Sequence, residues 1–110
     1  MTHFAEYIKE RQGKEIIEDE NGFATYYFVG PDCYIEDIYV TPEKRKSGVA
    51  SLYANEIAKI AIEKNCLNLI GSVKPSANGS TESLKVLLAY GFKLHSATED
   101  FIWFKKKLEV

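Results

Sequence analysis

Cys33-Tyr34-Ile35-Glu36-Asp37-Ile38-Tyr39-Val40 runs directly into Thr41-Pro42-Glu43-Lys44-Arg45-Lys46-Ser47-Gly48-Val49-Ala50. The first stretch is an apolar run of strand length. Behind the second, Val49, Tyr53, Ile57 and Ile60 recur at steps of three and four, as do Ala50, Ala54, Ala58 and Ala61. That is the spacing of a helix, here predicted over about Ser47 to Lys64. A strand enters a basic loop, and the loop opens a helix. Pro42 has no N–H for a sheet ladder and biases Thr41 toward an extended backbone, so the strand is expected to end there. The helix start leaves N–H groups unpaired beside Arg45 and Lys46, and Gly48 lets a ligand come close. Such a place suits an anion, phosphate above all.

Outward from this junction, toward the N-terminus, Thr2 is expected to cap a short helix carrying Phe4, Tyr7, Ile8 and Arg11, with Gly13 as its stop. Lys14 to Asp19 reads as a strand. Asn21-Gly22 predicts a tight hairpin turn, because both residues tolerate positive φ. Phe23 to Val29 follows as a strand, and Gly30-Pro31-Asp32 turns it back into Cys33–Val40. These three strands form an antiparallel meander. Toward the C-terminus, Leu67 to Val73 returns as a strand, and a strand–helix–strand unit of this length predicts a right-handed crossover onto a parallel neighbour. Lys74 to Gly79 is a polar loop. Ser80 or Thr81 caps a further helix with Leu84, Leu87 and Leu88 as its buried stripe, and Gly91 closes it. Phe92–Leu94 and Phe101–Lys105 make a last strand pair. The expected fold is mixed α/β (α+β): a mostly antiparallel central sheet flanked by helices, in one domain over residues 1–110.

Composition narrows the function classes. A chain of 110 residues with 45% hydrophobic and 27% charged residues is an ordinary globular protein with a modest core. A formal charge of −2 gives no general attraction to nucleic acid or anionic lipid, and neither is an expected partner. Basic residues gather only at Lys44-Arg45-Lys46 and at Lys105-Lys106-Lys107, the latter read as a solvated strand end. No apolar run approaches the ~20 residues that span a bilayer, and nothing resembles a signal peptide. Cys33 and Cys66 lie in apolar stretches without metal-ligand spacing. They read as buried, reduced thiols of a cytoplasmic protein, with no metal expected.

Arg45-Lys46-Ser47-Gly48-Val49-Ala50 resembles the Arg/Gln-x-x-Gly-x-Gly/Ala signature of the GNAT superfamily of acyl-CoA-dependent N-acetyltransferases. Glu36 to Glu43 resembles the strand and lead-in before that signature. Ala89-Tyr90-Gly91-Phe92 resembles the family's later helix end, where Gly-Phe begins the penultimate strand. The similarity covers about residues 23 to 107. It implies acetyl-CoA as co-substrate, with the main-chain N–H groups of Lys46, Ser47, Gly48, Val49, Ala50 and Ser51 cradling the pyrophosphate. Arg45 and Lys46 would neutralise its charge. Ile38 and Val40 would offer main-chain groups to the pantetheine amides, and Asn78 with Ser83 would line the far side.

The implied reaction is transfer of an acetyl group to a primary amine, on a small molecule or a protein, by direct attack on the thioester. A lysine-like amine with a pKa of ~10.4 is almost wholly protonated at pH 7, so a carboxylate is needed to take its proton. Glu36 is the candidate base, in a setting that resembles that of polyamine acetyltransferases; Asp37, expected on the opposite face of the strand, is the reserve. Main-chain N–H near Tyr39 or Val40 would polarise the thioester carbonyl. The chain departs from the family where a tyrosine commonly stands four residues before Gly-Phe, for Leu87 is there. Tyr90 is the remaining candidate general acid. Asn78 is also displaced by about two residues, and the part before the meander holds one short helix where the family usually has a strand and two helices. The acceptor site is therefore expected to be open or completed by a second copy in a homodimer, with Tyr26, Tyr27, Tyr34 and Tyr39 as candidate lining. A catalytically weak CoA-binding module acting through protein contacts is the alternative.

Overall fold

Two tight turns set the N-terminal half of the sheet. In a computed structural model the chain is described for residues 3–76 and 80–109, the side chains of residues 80–83 excepted. Helix α1 (His3–Gln12) ends at Gly13, whose φ of +67° lets its N–H reach Lys9 O while Lys14 N–H reaches Ile8 O. The proposed cap Thr2 lies outside the described residues. Strand β1 (Glu15–Asp19) turns into β2 (Gly22–Val29) through Glu20 and Asn21, one residue earlier than Asn-Gly alone suggests. The Asp19 carboxylate accepts the Asn21 N–H at 2.8 Å and supplies that turn's local bond. Gly22 serves a different purpose from the one predicted. It pairs with Val40 so closely that a Cβ there would fall 1.9 Å from Tyr39 O.

Gly30 (φ +56°) and Pro31 then connect β2 to β3 (Asp32–Val40), with the positive-then-negative φ order of a type II′ turn. A 3₁₀ turn (Pro42–Lys44) and a loop lead to α2 (Val49–Glu63), two residues later than expected at its start. Asn65 at φ +64° ends that helix, and β4 (Asn68–Val73) returns parallel to β3. Helix α3 (Ser80–Tyr90), β5 (Lys93–Ala97) and β6 (Ile102–Lys107) complete the order. The six strands lie β1-β2-β3-β4-β6-β5, antiparallel at every junction except β3–β4. This is the mixed, mostly antiparallel sheet that the sequence predicts.

One face of the sheet carries the main core. Ala24 and Tyr26 of β2, Cys33 and Ile35 of β3, Leu69 and Val73 of β4 and Phe104 of β6 meet Val49, Tyr53, Ala54, Ile57 and Ala61 of α2. Ile57 is fully buried, worth about 1.5–3 kcal/mol relative to exposure. The Tyr53 hydroxyl donates to Asp19 at 2.6 Å and ties α2 to the first hairpin. Cys33 and Cys66 are buried free thiols, and burial pushes the Cys33 thiol up to about 12. In α3 the expected stripe is corrected: Leu84 and Leu87 are half-buried, but Leu88 is exposed. Val86, Leu87 and Tyr90 look inward, so the buried arc centres on Leu87 and Leu88 lies beyond its edge. Among the described residues no helix is long and apolar enough to cross a membrane.

Candidate active site

The register between the two parallel strands stops short. Asp32, Cys33, Tyr34 and Ile35 pair with Asn68, Leu69, Ile70 and Gly71, and no pairing follows. From Glu36 to Val40 the side of β3 that faces β4 is left without a strand partner, so this edge, apart from the Val40 carbonyl, is open to another extended molecule. A cavity of about 630 Å³ fills the resulting wedge. Its walls are Ile35 to Val40 except Asp37, Gly71 and Ser72 of β4, and Val86, Leu87 and Tyr90 of α3. Lys44, Arg45, Lys46 and Ala50 stand at one end, where the loop enters α2. Thus Ile38, Tyr39, Val40, Arg45, Lys46 and Ala50 share one cavity.

The loop is shaped for an anion. Lys46 has φ +64° and Gly48 φ +88°, with Ser47 between them at negative φ, and a chain alternating in this way turns successive N–H groups toward one side. Gly48 caps α2 without any side-chain bond to the first turn. The first helical hydrogen bond runs from Leu52 N to Gly48 O, so the N–H groups of Val49, Ala50 and Ser51 precede the intrahelical ladder. The Ser47 hydroxyl is turned away, donating to Lys44 O. Arg45 stacks over the Tyr39 ring at 5.7 Å and donates from Nε to Val40 O at 3.0 Å. Val40 therefore offers its carbonyl to Arg45. No atom lies within 4 Å of a Cβ at Gly48. Gly48→Ala is expected to fold with a loss of about 1–2 kcal/mol from the left-handed backbone alone; a larger drop in urea denaturation would show that the position is crowded.

Glu36 is the extra residue of a β-bulge. Ile35 pairs with Tyr26 and Asp37 with Thr25, leaving Glu36 without a partner on β2. Ile35 and Ile38 consequently oppose Tyr26 and Ala24, two positions apart on β2, and the simple alternation expected to separate Glu36 from Asp37 is broken. Glu36 borders the cavity, whereas Asp37 does not and its N–H is held by Thr25 Oγ1 at 3.2 Å. Glu36 Oε2 lies 2.5 Å from Lys14 Nζ, a contact across 22 positions that nothing local in the sequence signals.

The tyrosines divide between the faces. Tyr26 is in the core, a correction to its candidate role in the acceptor site. Tyr27 stacks on Tyr34 at 5.0 Å, and Tyr34 meets Trp103 edge-on at 6.1 Å, all on the face away from α2. Burial pushes the Tyr27 hydroxyl up, with the Glu36 carboxylate adding to the shift. Tyr39 is exposed and stacks on Phe23.

Tyr90 borders the cavity, and its hydroxyl donates to Asn55 Oδ1 of α2 at 2.5 Å. Burial pushes this hydroxyl up as well. Lys106 is not simply solvated: its Nζ donates to Tyr90 O at 2.9 Å and sits 4.6 Å from the ring centre. Asn55 and Lys106 hold Tyr90; nothing local in the sequence points to Asn55, and Lys106 reads there only as part of a solvated strand end. Asn78 lies outside the described residues, as does the side chain of Ser83.

Over residues 2–92 the chain matches a family model described as the Acetyltransferase (GNAT) family. The chain belongs to the GNAT acetyltransferase family. Thialysine N-epsilon-acetyltransferase of Sus scrofa is 40% identical over 50 residues, a match covering 41% of this chain and 29% of that protein. The Mus musculus protein of the same name is 34% identical over 62 residues, 52% of this chain and 34% of that one. These matches span about a third of those relatives' length. Among solved structures, a protein of the GNAT family from Desulfovibrio desulfuricans superposes with a TM-score of 0.78 at 14% identity, covering 94% of this chain and 76% of that one. A GNAT acetyltransferase from Elizabethkingia anophelis with acetyl-CoA bound gives 0.74 at 19% identity, covering 94% and 82%. At such identity the likeness is one of fold. In this GNAT chain an unpaired strand edge, a cavity beside it and a glycine-opened helix start at its end lie together.

Proposed function

We propose that the protein is an acetyl-CoA-dependent N-acetyltransferase acting on a primary amine. The observation that carries this reading is the wedge between β3 and β4, with the N-terminus of α2 at one end and Glu36 on its wall. The main-chain N–H groups from Lys46 to Ser51 would hold the pyrophosphate, and Arg45 and Lys46 would neutralise it. The open side of Glu36–Val40 would take the pantetheine amides. Acetyl-CoA supplies the activated acyl group; the chain's own part is to orient it and to handle protons. A main-chain N–H near Tyr39 or Val40 would meet the charge that develops on the acyl oxygen. Glu36 would accept a proton from the incoming ammonium.

The acceptor is proposed to be an ε-amine-like primary amine. The named activity of the thialysine N-epsilon-acetyltransferases supports this, as does the stacked Tyr27–Tyr34 pair, whose ring faces suit a cation. Arg45→Glu tests the cofactor assignment. A charge-assisted hydrogen bond contributes roughly 1.5–3 kcal/mol, so acetyl-CoA affinity by calorimetry is expected to fall about 10- to 100-fold. Undiminished affinity would remove Arg45 from the site.

A second reading, a CoA-binding module with little turnover, is favoured by one observation. Leu87 replaces the expected tyrosine, and the Tyr90 proton is engaged by Asn55. Thiol release with a panel of primary amines separates the two readings, because only an enzyme liberates coenzyme A.

A further inference from the structure

Lys9 pairs with the carboxylate of Glu15, and Lys14 with that of Glu36. Only the second carboxylate borders the cavity. Lys14 precedes the Glu15–Tyr26 pair by one residue, so it enters the sheet beside Tyr27, on the face that Tyr27 shares with Tyr34. Its ammonium is 2.5 Å from Glu36 Oε2, and its side chain is only 24% exposed. An ε-amine is thus held against the carboxylate proposed as base, next to the space proposed for the thioester.

We infer that Lys14 is itself an acceptor, acetylated within the same molecule. The inference rests on the acetyl-CoA reading above. In this step Glu36 takes one proton from the Lys14 ammonium and passes it to water. The freed Nζ forms a bond to the acyl carbon as the carbon–sulfur bond breaks, and the second amine proton ends on the departing thiol. Acetyl-lysine, coenzyme A and one released proton balance the starting ammonium and thioester. The product has no charge at Nζ, so the ion pair with Glu36 is lost and the carboxylate is released to an external amine.

The test uses the purified full chain, acetyl-CoA and no added amine, read by peptide mass spectrometry over time. One acetyl group should appear on Lys14, with a first-order rate independent of protein concentration. Lys14→Arg should leave that peptide unmodified, and Glu36→Gln should slow the modification by about 100-fold, as expected for loss of a general base. Thermal stabilisation by coenzyme A is measured alongside. Stabilisation with Lys14 unmodified, or modified no faster than the exposed Lys59 and Lys64, overturns the inference and leaves the cofactor assignment standing. No stabilisation and no modification overturns both. A rate that rises with protein concentration overturns transfer within one molecule.

Discussion

Glu36→Gln is expected to lower turnover of a primary amine by about 10²–10⁴-fold at pH 7. The substitution keeps the shape and removes the only group proposed to take the acceptor's proton. Its effect on folding should be small, because Glu36 and Lys14 are partly exposed and such pairs contribute about 0–1 kcal/mol. The defect should also depend on pH in one direction. As pH rises toward ~10, the acceptor loses its proton to solvent without help, and the variant should approach the wild-type rate. Steady-state kinetics from pH 7 to 10 check both points. Equal rates at pH 7, with the protein folded and acetyl-CoA bound, would leave Glu36 as a structural partner of Lys14. The bulge that aims Glu36 at the cavity makes a conservative change at this position informative, since the backbone need not move.

Gly22→Ala is the substitution with the largest expected effect on stability, at least about 3 kcal/mol. A Cβ there would lie 1.9 Å from Tyr39 O and 2.9 Å from Tyr39 C, both backbone atoms of the neighbouring strand. No rotamer change can relieve that overlap, so β2 and β3 must separate at their end. At φ +155° the residue also occupies a backbone region that side chains rarely adopt. The consequence reaches the site, because Tyr39 and Val40 line the cavity and Thr41 N donates to Asn21 O beside the same turn. Gly48→Ala is the natural control, a glycine at positive φ with empty space around it. Urea denaturation should rank the two variants far apart. Gly22→Ala within about 1 kcal/mol of wild type would falsify the close approach of the two strands.

The strand–loop–helix unit could be read in the sequence because each of its signals is local. Pro42 ends a ladder, Gly48 permits a left-handed backbone, and the three-and-four spacing from Val49 needs only the helix's own geometry. The order of elements followed in the same way. The hairpin turn was displaced by one residue because Gly22 answers to a neighbouring strand and not to its own turn. Leu88 was misplaced because helical spacing defines a stripe but not its centre, which depends on where α3 lies over β4.

By itself the sequence determined the kind of elements, their order and the resemblance to a family, and it put forward residues 45–51 as the proposed anion site. It could do so because hydrophobic period, proline, glycine and charge act within a few residues. Tertiary structure alone decided that β3 and β4 part after Ile35 and Gly71, that the bulge opposite Thr25 presents Glu36 to the wedge, and that Lys14 meets it. Each of these depends on pairings between residues far apart in the chain. A strand's own side chains do not specify where its neighbour departs, and that departure is what opens the cavity.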